Sequence, residues 1–254
     1  MGKNYVFVNQ KGGVGKTTSA INIGAYLADM GKKTLLVDFD SQANLSSGMG
    51  ISGNAAKPGI YELISGLAAL DETIRKTSIP ELELIPAGID LSGAAVELIG
   101  QEGRDFFLKK ALASARSRYD FILIDCPPSL GVLTINGISA ADSVLIPMQC
   151  EYFAMEGLSH LLQTIKRIKK GINPHLEIEG IFFTMYDPRT RLAQQVVKEV
   201  GAYFKDKVFS TMIPRNVRLS EAPSHGLPIS EYDPACSGAK AYKSLSQEVL
   251  GRGI

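Results

Sequence analysis

Short apolar runs alternate along the chain with longer amphipathic segments. The runs Tyr5–Val8, Thr34–Val37, Leu82–Ile85, Phe121–Ile124, Ser143–Ile146, Ile178–Thr184 and Val208–Ser210 predict strands. The runs at 34–37 and 121–124 are apolar without alternation, as parallel strands covered on both faces require. Between the runs the period changes. Segment 153–170 sets Leu158, Leu161, Leu162, Ile165 and Ile168 on one helical stripe. Segment 190–204 does the same with Leu192, Val196, Val200 and Phe204. Gly31 and Gly171 follow helical patterns where a left-handed cap is expected. Strands alternating with helices predict an α/β fold, a mostly parallel twisted sheet with helices on both faces. No repeat or linker divides the chain, so one domain over 1–254 is expected. The Gly- and Ser-rich stretch 41–60 is expected to be a mobile loop near the site.

Composition narrows the function classes. The 27 Lys and Arg against 26 Asp and Glu leave a net charge of +1, which excludes a generally basic nucleic-acid coat but not a local patch. The charges are unevenly spread. Residues 160–220 carry eleven basic and five acidic residues, a local net of +6. They include Lys166, Arg167, Lys169, Lys170, Arg189, Arg191, Lys198, Lys205, Lys207, Arg215 and Arg218, and such a region suits phosphate contacts without base readout. Cys126, Cys150 and Cys236 form no C-x-x-C pair, and no apolar run approaches the roughly 18–20 residues that span a bilayer. The expected place is the cytoplasm. His160, His175 and His225 have no metal spacing.

The sharpest signal is the run Val6-Phe7-Val8-Asn9-Gln10-Lys11-Gly12-Gly13-Val14-Gly15-Lys16-Thr17-Thr18. A strand enters a glycine-rich turn, and a helix with Ala20, Ile23 and Leu27 follows. Glycines let consecutive N–H groups converge on one anion, and the helix N-terminus adds its positive end. Lys16 is placed to neutralise the β- and γ-phosphates, and the Thr17 hydroxyl to ligate Mg²⁺. The fold class is therefore that of a P-loop NTPase, with Gly12, Gly13, Val14, Gly15, Lys16, Thr17 and Thr18 as nucleotide-binding candidates, while Lys11 by itself reads as a solvated loop charge. Two carboxylate groups follow. Leu35-Leu36-Val37-Asp38-Phe39-Asp40 ends a buried strand in two acids that should share a face at the carboxyl edge of the sheet. Phe121-Ile122-Leu123-Ile124-Asp125 reads as a Walker B strand, whose acid would hold Mg²⁺ through a water.

The general phosphate-loop pattern wants Gly at position 10, where this chain has Gln10, and Lys11 is a second lysine inside the loop. This loop resembles the deviant Walker A loop, KGGxGKT, of the ParA/MinD family of ATPases. The strings Ile124–Leu130, Ile146–Gly157 and Ile213–Ser224 resemble the chromosomal ParA branch, often called Soj, and the likeness covers nearly the whole chain. The resemblance implies an ATPase, with ATP and Mg²⁺ as cofactors, that forms a nucleotide-sandwich homodimer on ATP. It implies non-specific DNA binding, association with the nucleoid, no membrane, and switching-off by a ParB-type partner that stimulates hydrolysis. Lys11 would then reach the phosphates bound by the other subunit. Asp40 would orient the attacking water, and Asp38 would be the more structural acid near the metal. Pro214 and Asn216 would lie at the adenine pocket, and Arg189 and Arg218 would contact DNA. Basal turnover should be slow, because one carboxylate is the strongest base at hand.

Three other readings compete. A MinD-like membrane-surface ATPase needs a basic amphipathic end. Here Tyr242, Leu245 and Val249 form a stripe with few bulky groups and little positive charge, which better suits a helix packed on the core. A nucleotide-switched regulator of replication initiation would work through partners. An iron–sulfur reductase of the nitrogenase type would need two cluster cysteines, and neither Cys126 nor Cys150 has a suitable context.

Overall fold

The structure is a computed structural model and describes residues 2–253. The chain runs β1 (Lys3–Phe7), α1 (Lys16–Asp29), β2 (Thr34–Asp38), α2 (Asn44–Gly48), α3 (Ile60–Ile64), α4 (Leu70–Thr73), β3 (Arg75–Lys76), β4 (Leu82–Ile85), α5 (Leu91–Glu97) and α6 (Phe107–Ala111). It continues through β5 (Phe121–Asp125), α7 (Val132–Ala140), β6 (Ser143–Gln149), α8 (Ala154–Gly171), β7 (Glu177–Thr184), α9 (Arg191–Phe204), α10 (Arg218–Glu221), α11 (Ile229–Tyr232) and α12 (Ser237–Gly253). The strands form one sheet in the order β3-β4-β2-β5-β1-β6-β7, parallel except for the edge strand β3.

Successive side chains on a strand point to opposite faces. Val6, Leu35, Val37, Ile122, Ile124, Val144 and Ile146 face one core, which α5, α7, α8 and α9 cover. Tyr5, Phe7, Leu36, Phe121, Leu123 and Leu145 face the other, which α1 and α12 cover. That is why the runs at 34–37 and 121–124 lack alternation. Tyr242, Leu245 and Val249 of α12 are fully buried, so the terminal stripe belongs to this second core. No helix among the described residues is long and apolar enough to cross a membrane.

Several sequence expectations are corrected. Val208–Ser210 makes only an isolated bridge from Val208 to Ile181. Phe209 turns into the core edge-on to Phe182, and the Ser210 and Thr211 amides donate to Glu248 instead of to a neighbouring strand. The seventh strand is Arg75–Lys76, whose two residues show no apolar period. Gly31 takes the left-handed cap at φ +75°, but Gly171 is the last helical residue of α8. There the amides of Ile172 and Asn173 both return to the Ile168 carbonyl. On α9, Ala193 is buried and Leu192 is exposed, so the stripe is shifted by one residue at its start. The stretch 41–60 is not a bare loop. It contains α2 and a single 3-10 turn at Gly53–Ala56, with Leu45 and Ser46 buried.

Candidate functional site

β1, β2, β5, β6 and β7 end together at one edge of the sheet, and the site is built there, where the strand order places the β1–α1 turn between β5 and β6. Gly13 (φ +73°) and Gly15 (φ +87°) wind this turn in the left-handed region, which side chains with a Cβ avoid. Three neighbours pin the turn from outside. Thr184 Oγ1 donates to the Val14 carbonyl at 2.8 Å, Gln149 Nε2 to the Gly13 carbonyl at 2.9 Å, and Asn9 Nδ2 to the Pro147 carbonyl at 2.8 Å. The loop and the first turn of α1 are thereby held against a cleft of about 550 Å³. Gly12, Gly13, Gly15, Lys16, Thr17, Thr18 and Asp40 all line it.

Lys16 is only 7% exposed, and its ammonium donates to the Asn9 carbonyl at 3.1 Å and the Lys11 carbonyl at 3.3 Å. Burial lowers its pKa, opposed chiefly by the nearby Asp125 carboxylate. Thr17 Oγ1 donates to Asp125 Oδ2 at 2.6 Å. The other oxygen, Asp125 Oδ1, is buried with no hydrogen-bond partner. Burial, and then the charge of Asp38, push the Asp125 carboxyl up to about 8. An orphaned buried carboxylate oxygen is costly, and a cation beside Thr17 is what would satisfy it. The residues present therefore fit Mg²⁺, with Thr17 and Asp125 on its protein side.

Asp38 lies opposite Asp125 in the parallel register of β2 and β5. It does not share an exposed face with Asp40. β2 stops at Asp38, which is completely buried, while Asp40 lies beyond the strand and borders the cleft. The Asp38 carboxylate accepts the Asp40 amide at 3.2 Å, the Ser46 amide at 2.8 Å and the Ser46 hydroxyl at 2.6 Å. Burial raises its pKa to about 6 against these bonds. Three donors thus occupy the Asp38 carboxylate within its own loop.

Lys11 folds back within its own subunit, ion-paired with Glu151 and 3.5 Å from Gln149 Oε1. Pro214 and Asn216 are not brought to this cleft. Pro214 bridges to Tyr186, and the Asn216 side chain bonds Ser237 and the Arg218 amide. Both arginines proposed for DNA carry carboxylates. Arg189 is bidentate on Asp187, and Arg218 pairs with Glu221 at 2.8 Å and Asp233 at 3.5 Å. Cys126 is buried beside the cleft, Cys150 is half-buried, and all three cysteines are free thiols.

Sequence reasoning missed Gln149, Glu151, Thr184 and Met185. Gln149 and Thr184 sit at the carboxyl ends of β6 and β7, so the strand-end rule that found Asp125 points to them too. Met185 borders the cleft with a left-handed φ of +50°, which no local pattern announces.

A family model described as an AAA domain matches residues 2–178. The chain is 62% identical over 252 residues to the chromosome-partitioning ATPase Soj of Treponema pallidum, covering 99% of this chain and 98% of that one. It is 52% identical to the sporulation initiation inhibitor protein Soj of Bacillus subtilis, covering 100% of both. Among solved structures it is similar to cobyrinic acid a,c-diamide synthase of Mycobacterium smegmatis with bound ATP analog and magnesium. That likeness has a TM-score of 0.87 at 35% identity and covers 98% of this chain and 94% of that one.

Proposed function

The chain belongs to the ParA/MinD family of ATPases, on its chromosome-partitioning branch, and we propose that it works as an ATP-gated DNA-binding switch. In this reading residues 1–254 form one P-loop ATPase domain. ATP pairs two copies, the pair holds DNA through phosphate contacts, and hydrolysis stimulated by a ParB-type partner releases it.

The observation that carries the nucleotide half is the Thr17–Asp125 pair with its unpartnered oxygen, set at the mouth of a turn wound by Gly13 and Gly15. Mg²⁺ there would supply positive charge to the β- and γ-phosphate oxygens. The chain's own residues do the rest. The loop amides and the α1 N-terminus hold the phosphates, and Lys16 leaves two carbonyls for them. In this reading Asp40, which borders the cleft, orients a water for in-line attack. Lys11, released from Glu151, adds a cation to the phosphates of the other copy.

The DNA half rests on charge. Eight of the eleven basic residues in 160–220 make no ion pair among the described residues, the exceptions being Lys169, Arg189 and Arg218. Pairing two copies doubles this patch, so affinity should follow the nucleotide. A membrane-surface role would need the stripe of Tyr242, Leu245 and Val249 free, and it is buried. The cytoplasm, on the nucleoid, is the place this reading assigns.

The test is a DNA titration with no nucleotide, ADP, ATP and a non-hydrolysable ATP analogue, each at two salt concentrations. Binding should be tight only with ATP or the analogue and should weaken steeply with salt. Equal binding in all four states would refute the switch.

A further inference from the structure

The chain that leaves β2 returns to it eight residues later, and one carboxylate closes the circuit. Asp38 Oδ1 accepts the Asp40 amide, while Oδ2 accepts both the amide and the hydroxyl of Ser46. Between these anchors the loop is wound tightly. The Asp40 carbonyl accepts the Ala43 amide at 2.9 Å, Asp40 Oδ1 accepts the Gln42 amide at 3.0 Å, and Ala43 is left-handed at φ +51°.

Ser46 does more than close the loop. A hydroxyl has one proton to give and lone pairs to receive with. Its proton goes to Asp38, and its oxygen accepts the Ala87 amide at 2.9 Å. Ala87 follows β4, so the hydroxyl joins the loop to a second strand end. All three groups are buried: Asp38 and Ser46 to 1% exposure or less, Ala87 to 2%. In a buried and satisfied network each bond is strong and each loss leaves an orphan. Ser46 itself does not border the cleft, whereas its neighbours Asn44 and Ser47 do.

We infer that Ser46 is a positioning residue for hydrolysis. Shared between Asp38 and the Ala87 amide, its hydroxyl fixes the loop that carries Asp40 at the phosphate end of the cleft. This rests on the reading of Asp40 as the residue that orients the attacking water. The phosphate turn is held by Asn9, Gln149 and Thr184, none of which bonds to Ser46. Nucleotide affinity and hydrolysis should therefore separate when the hydroxyl is lost.

The experiment compares Ser46→Ala, Ser46→Thr and Asp40→Ala with the parent, reading nucleotide Kd from a fluorescent ATP analogue and kcat from single turnovers with Mg²⁺ and ATP. Misplacing a water-orienting group by about 1 Å costs on the order of 100-fold, so Ser46→Ala should lower kcat about 10- to 100-fold. Its Kd should rise by far less than kcat falls, because the donors that pin the phosphate turn do not bond to Ser46. Ser46→Thr, which keeps the hydroxyl, should recover most of the rate. A parent rate in Ser46→Ala, or equal losses in Kd and kcat, overturns the inference. The two readings fail separately. If Asp40→Ala hydrolyses at the parent rate, the role of Asp40 is wrong. If Asp40→Ala is inactive while Ser46→Ala is at the parent rate, only the role of Ser46 is wrong. Should Ser46→Ala not fold, amide hydrogen exchange on the parent decides. The Ser46 and Ala87 amides should be protected, and exchange as fast as that of an amide in an unstructured peptide overturns the clamp.

Discussion

Thr17 and Asp125, 108 residues apart in sequence, are joined by a 2.6 Å hydrogen bond that uses one carboxylate oxygen and leaves the other buried and unpartnered. The same burial, reinforced by Asp38 across the register, raises the Asp125 pKa from 3.8 to about 8. A carboxyl with a raised pKa binds more protons folded than unfolded. Its contribution to stability is complete below the unfolded value and is lost as pH climbs through the folded one. The stability of the parent relative to Asp125→Asn should therefore fall between about pH 4 and about pH 8 and level off above. Denaturant melts of both proteins across that range measure it, and a rising difference would contradict the assignment.

Lys16 holds a buried ammonium on two backbone carbonyls, and in the proposed complex those donors turn to phosphate. Charge-assisted bonds of this kind are each worth roughly 1.5–3 kcal/mol. Lys16→Ala should weaken ATP binding by about 100-fold or more. The unfolding midpoint without nucleotide should change little, because burial already disfavours the charge. Equilibrium binding and thermal melts together check this, and unchanged affinity would remove the cradle.

Lys11 cannot serve the other copy while it is paired with Glu151. Both side chains are about half exposed, at 52% and 53%, so water screens the pair. Glu151→Gln should free the lysine and strengthen ATP-dependent pairing, by no more than about fivefold. Sedimentation at graded protein concentrations with a non-hydrolysable analogue reads the effect. Weaker pairing would mean that Glu151 itself supports the interface.

What the sequence made legible was chemistry confined to a short stretch. Gly13, Gly15, Lys16 and Thr17 are neighbours in the chain, and the strand before them and the helix after them are signalled by their own periods. Asp125 was legible because four buried residues lead straight to it. The missed contacts join residues far apart. Glu151 meets Lys11 across 140 positions and Ala87 meets Ser46 across 41, and no local pattern encodes such pairings. The same distance bears on the strand that failed at 208–210, where the Ser210 amide is taken by Glu248, 38 positions on. Pro214 and Asn216 rested on resemblance alone, and their neighbours here are Tyr186 and Ser237.

The DNA surface gives the last prediction. Arg189 is 87% exposed, yet both of its side-chain donors to carboxylate go to Asp187, whose carboxyl the arginine holds down at about 2. A DNA phosphate must compete with that carboxylate for the same guanidinium. The pair lies in water and is weakly held for that reason, so the competition is real but small. Asp187→Asn should tighten ATP-dependent DNA binding by about two- to fivefold. Arg189→Ala should weaken it on every sequence alike, and lower the slope of log affinity against log salt by about one. Titrations at three or more salt concentrations on two unrelated duplexes separate these outcomes. If Arg189→Ala leaves the salt slope unchanged, Arg189 makes no phosphate contact, and the interface must be drawn among the unpaired lysines and arginines of α8 and α9 instead.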